Sequence, residues 1–60
     1  MPQISKHPDE MWLEAILRYA KPYGLQEEVA MGYLRQRQLG KADDLAALIA
    51  CEEWDVADPN

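Results

Sequence analysis

Sixty residues, a formal net charge of −5 and 48% hydrophobic side chains set the limits on this chain. A domain of this size buries only roughly 60% of the surface its unfolded form exposes, so it is marginal without disulfides, metals or association. The single Cys excludes an internal disulfide, and the acidic balance disfavours general attachment to nucleic acid, which needs clustered Lys and Arg.

Residues 1–7 carry no period and are expected to form a loose arm, with Ile4 tucked against the body. His7-Pro8-Asp9-Glu10 reads as a helix start, and the pattern predicts helix one over 8–21. Proline suits a first helical position, and the two acids then sit near the positive end of the helix dipole. Trp12, Ala15, Ile16 and Tyr19 recur at helical spacing, and Met11, Leu13, Leu17 and Ala20 widen that stripe. Lys21-Pro22 is expected to end the helix, because a residue before proline is pushed out of the α region.

Pro22-Tyr23-Gly24 reads as a turn, and helix two is predicted over 25–39. Glu27 and Glu28 near its start and Arg35 and Arg37 near its end both complement the dipole. Its expected core stripe is Leu25, Val29, Ala30, Tyr33 and Leu34. Gly32, in mid-helix, costs roughly 1 kcal/mol relative to Ala and suggests close approach of another backbone. Gly40 is expected in the left-handed conformation just past the helix end.

Helix three is predicted over 42–55, with a frayed tail at 56–60. No Ser or Thr can cap it, so an Asp, 43 or 44, is expected to do so. Its apolar residues form two stripes: Leu45, Leu48 and Ile49, and Ala47, Ala50, Cys51 and Trp54. A helix apolar nearly all round belongs in the centre of a fold or in an interface. Short connections favour antiparallel neighbours, so the expected architecture is an all-α, compact three-helix bundle. The alternative is an open helical hairpin that closes on dimerisation.

The chemical inventory is thin: His7, Cys51, Ser5, no Thr, and Asn60 as the sole Asn. One His and one Cys far apart cannot build a four-ligand zinc site, and no Glu-x-x-His pair is present for a bundle di-metal site. No catalytic residue, metal or cofactor is therefore expected, and the chain reads as a non-enzyme. No apolar run approaches the roughly 20 residues of a membrane span, and the N-terminus lacks a signal-peptide core. With its lone Cys the protein is expected to be cytoplasmic.

These features point to a small protein–protein interaction module, a homodimer or a subunit of a complex, whose partner carries a basic surface. The expected contact residues are Met11, Tyr23, Met31 and the acidic-aromatic end Glu52, Glu53, Trp54 and Asp55. Trp54 either closes the bottom of the core or inserts into a partner pocket ringed by carboxylates. In size and charge, with no motif behind it, the chain resembles the small acidic helical proteins of phages and mobile elements. That resemblance implies an inhibitor or adaptor that modulates a larger enzyme, with mimicry of nucleic-acid charge as one form. The alternative is a helix-turn-helix-like nucleic-acid binder using helices two and three, with Arg35, Arg37 and Lys41 as its cations. Against it, Asp43, Asp44, Glu52 and Glu53 would repel phosphate from the reading helix.

Overall fold

The computed structural model describes residues 4–57. The chain is all-α. Helix α1 spans Trp12–Ala20, a 3-10 turn follows over Lys21–Tyr23, α2 spans Gln26–Gln38 and α3 spans Asp43–Glu53. Each helix packs on the other two, most extensively α2 on α3, so the hairpin is closed within one chain. The radius of gyration, 10.1 Å, matches the roughly 10.4 Å expected of a compact 60-residue chain.

Carboxylates accept backbone N–H groups at the starts of α1 and α3, while the N-caps of α2 and α3, Leu25 and Ala42, make no side-chain cap. The Met11 N–H donates to Glu14 Oε1 at 2.8 Å, one half of a capping box. At α3, Asp43 Oδ1 accepts from the Asp44 N–H and Asp44 Oδ1 from the Leu45 N–H, both at 2.8 Å. The C-terminal ends share one device. Gly24, Gly40 and Asp55 have positive φ (68°, 91° and 53°), and the next residue's N–H reaches back five positions to close a Schellman motif. Those bonds are Leu25 to Ala20 O, Lys41 to Gln36 O and Val56 to Cys51 O.

The start of α1 differs from the sequence expectation. His7-Pro8-Asp9-Glu10 is a separate turn, closed by the Glu10 N–H to His7 O, and the helix opens four residues later at Trp12. Glu10 Oε1 accepts the His7 N–H at 2.8 Å and also binds Arg18 at 2.7 Å. The backbone N–H of His7 and the Arg18 guanidinium hold the Glu10 carboxyl below its ordinary range. The far end of α1 also differs. Lys21 keeps αR dihedrals, and the missing N–H of Pro22 tightens the path into a 3-10 turn that Gly24 ends.

The core is built largely from small residues. Ala15, Ile16, Ala20, Val29, Ala46, Ala47, Ala50, Cys51 and Val56 are fully buried, with Tyr19 and Tyr33 beside them. Ile4 packs against the core, as its place in the sequence suggested. Two other expectations for the termini change here. Ser5, expected in a loose arm, is tied to Tyr19: its N–H donates to the Tyr19 hydroxyl at 2.8 Å, and that hydroxyl donates to Ser5 O. Val56, expected to fray, is sealed under the α3 cap. The rest of the expected arm and tail, 1–3 and 58–60, lies outside the described residues.

Leu34, expected inside, is half exposed. Gly32 lies under α3, where an added Cβ would sit 3.4 Å from Ala50 Cβ. That is contact without overlap. Gly32→Ala should therefore raise stability by about 0.5–1 kcal/mol through helix propensity, and Gly32→Leu should wedge α2 from α3 and lower it, both read by urea unfolding. Tyr19→Phe removes the hydroxyl that bonds the Ser5 N–H and C=O; a loss of about 1 kcal/mol is expected, with faster amide exchange at Ser5.

Candidate interaction surface

At 100° per residue, α3 has two chemically distinct apolar faces. Ala46, Ala47, Ala50 and Cys51 point inward and are fully buried. Leu45, Leu48 and Ile49 point the other way. Leu45 is 43% exposed, and Leu48 and Ile49 are half-buried. The larger stripe is the outer one, the reverse of what hydrophobicity alone would choose.

The outer stripe meets the start of the chain. Ile4, Trp12, Asp44, Leu45 and Leu48 line an open groove of about 280 Å³. Trp12 stands at the first turn of α1, and Ile4 reaches the groove because Ser5 is fixed to Tyr19. Lys6 Nζ lies 6.0 Å from the Trp12 ring centroid. Asp44 and Glu52 are exposed one turn to either side of Leu48 on α3, making a row of acid, leucine and acid.

The residues singled out in the sequence are exposed but dispersed. Met11 precedes α1 and Tyr23 closes the 3-10 turn beyond its other end. Met31 and Leu34 stand one turn apart on the outer side of α2, both exposed. Glu52, Glu53, Trp54 and Asp55 finish α3, all exposed, with Trp54 at 42%. Trp54 therefore caps the helix end instead of closing the core. Arg35, Arg37 and Lys41 cluster at the end of α2, where Arg37 Nη1 donates to Lys41 O at 2.6 Å. The groove itself is absent from the sequence-level set. Its only sequence trace is the second apolar stripe of helix three.

Among the described residues, no group of three or more His, Cys, Asp and Glu side chains is placed to hold a metal ion. No helix among them is long and apolar enough to cross a membrane. His7 is exposed in the turn before α1. Cys51 is fully buried, and burial pushes its thiol up to about 11. No protein-family model, curated protein or solved structure matches the chain.

The Cys51 thiol gives a test of this packing. At pH 8 a thiol reagent should label the folded chain at least ~100-fold more slowly than the urea-unfolded one, since the group is both covered and protonated. Its folded value lies above the ordinary 9.0, so the contribution to stability is whole below pH 9 and is lost as pH rises toward about 11. The expected slope there approaches about 1.4 kcal/mol per pH unit, and Cys51→Ala should remove it.

Proposed function

We propose that this chain is a non-catalytic, acidic protein-binding module that docks on a larger protein through the outer face of α3. The observation that carries the reading is the inversion of α3. Alanines and Cys51 fill the inner side of α3 while Leu45, Leu48 and Ile49 face outward, Leu45 and Leu48 beside Trp12. In a chain this small, large apolar side chains are the main source of stability. Leaving them half in water is a standing cost that a partner's surface would remove.

The acidic-aromatic end of α3 is a separate exposed patch. Trp54, with Glu52, Glu53 and Asp55 around it, offers a second anchor and a field that steers a basic partner. Asp55 holds a left-handed conformation that Gly would adopt without steric cost, and its charge opposes the α3 dipole. Both local penalties fit an acid retained for contact. Met11, Tyr23 and Met31 form a more distant set of exposed side chains. The role is that of an inhibitor or adaptor of a larger enzyme, as in the small helical proteins of phages and mobile elements, acting in the cytoplasm.

In-cell photocrosslinking tests the reading. A benzophenone side chain at Leu45 should yield a discrete protein adduct well above the mass of the chain, and one at Arg35 should yield none. Adducts from Arg35 to nucleic acid, with none from Leu45, would reverse the proposal.

A further inference from the structure

The occupant of the α3 groove can be narrowed by charge and by spacing. We infer that it is an amphipathic helix of a partner protein, with its apolar stripe bracketed by two Lys or Arg side chains. The inference rests on the reading of α3 as a protein-binding face and adds what binds there.

The pattern on α3 is repetitive. Asp44, Leu48 and Glu52 fall at successive turns of one row, and Leu45 and Ile49 form the row beside it. Asp44 and Glu52 are separated by roughly 12 Å along the axis at 1.5 Å per residue. A partner helix crossing at a shallow angle repeats the same spacing. Cations seven or eight residues apart on it reach Asp44 and Glu52 together. The apolar residues between them face Leu45, Leu48 and Trp12. The volume of about 280 Å³ sits just below the roughly 300–1,000 Å³ of small-molecule pockets, so it takes anchor side chains while the helix axis lies above.

A second copy of this chain docking through its own α3 is the wrong occupant. The helix Asp43–Glu53 carries Asp43, Asp44, Glu52 and Glu53 and no Lys or Arg. Two such helices placed antiparallel set Asp43 and Asp44 against Glu52 and Glu53. Placed parallel, they set each acidic pair against its own copy. Either way like charges meet at the edge of a drying interface, where their repulsion strengthens. An extended strand is excluded as well, since the α3 backbone is paired internally and offers no ladder.

The probe is a synthetic 18-residue Leu–Lys helix with Lys at both flanks of a leucine stripe. Two controls are a scrambled sequence of the same composition and the Leu–Glu counterpart. Binding is followed by the two indole N–H resonances, Trp12 in the groove and Trp54 at the helix end. The expected result is a shift at Trp12 with the Leu45 and Leu48 amides. Binding of the scrambled peptide should be at least ~10-fold weaker, and that of Leu–Glu weaker still. Affinity should fall steeply with salt. Glu52→Lys should weaken the Leu–Lys peptide at least ~10-fold, and Asp44→Asn, which keeps the oxygen that accepts the Leu45 N–H, at least ~3-fold. Both sites are exposed, and retained helicity by circular dichroism separates lost binding from lost folding. Shifts at Trp54 alone, equal affinity for the scrambled peptide, or a dimer of the free chain that protects Trp12 would each overturn the inference. Photocrosslinks from Leu45 in cells without groove binding of this peptide would overturn the basic-helix occupant and leave the binding module standing. Failure of both would remove both.

Discussion

The close contact of α2 with α3 is the constraint from which the rest of the architecture follows. Gly32 faces Ala50 across this contact, and the inner side of α3 is filled by Ala46, Ala47, Ala50 and Cys51. Dispersion gain from such a fit depends on short distance more than on side-chain size. Once small residues occupy the inside, helical period forces Leu45, Leu48 and Ile49 outward. The apolar outer face is therefore a result of how the core is packed.

The C-terminal caps complete this arrangement. Three Schellman motifs set where each helical stretch stops and the direction in which the chain leaves. The last one seats Val56 beneath α3, where it fills the core that alanines leave thin. At the other terminus Ser5 fastens the chain to Tyr19, which brings Ile4 to the rim of the groove. Both termini are parts of the packed body up to the limits of the described residues.

Much of the fold was legible because glycine and charge gradients mark helix boundaries by local chemistry. Gly40 declares its left-handed geometry in the sequence, and the run of Glu27, Glu28, Arg35 and Arg37 declares the two ends of α2. The misread positions share a cause. Pro8 suits a turn as well as a first helical residue, and only the bond from Glu10 to His7 decides between them. Asp55 gives no warning of positive φ, so the burial of Val56 could not be foreseen. The two stripes of helix three were both visible, but choosing the inner one needs the position of Gly32 opposite. The exposed aromatic and acidic residues at the end of α3 were legible as well. The groove was not, because Trp12 and Leu45 come together only through tertiary packing.

An alanine-filled interior has a thermodynamic consequence of its own. It removes little hydrocarbon from water, so the heat-capacity change of unfolding is small and the stability curve is shallow. Any species that covered its outer leucines would add stability in proportion to the logarithm of that species' concentration. Without such cover, copies would open more often and meet cellular proteases first. Under the proposed docking role, the cellular level of this polypeptide would follow the supply of its partner, with no separate regulator required.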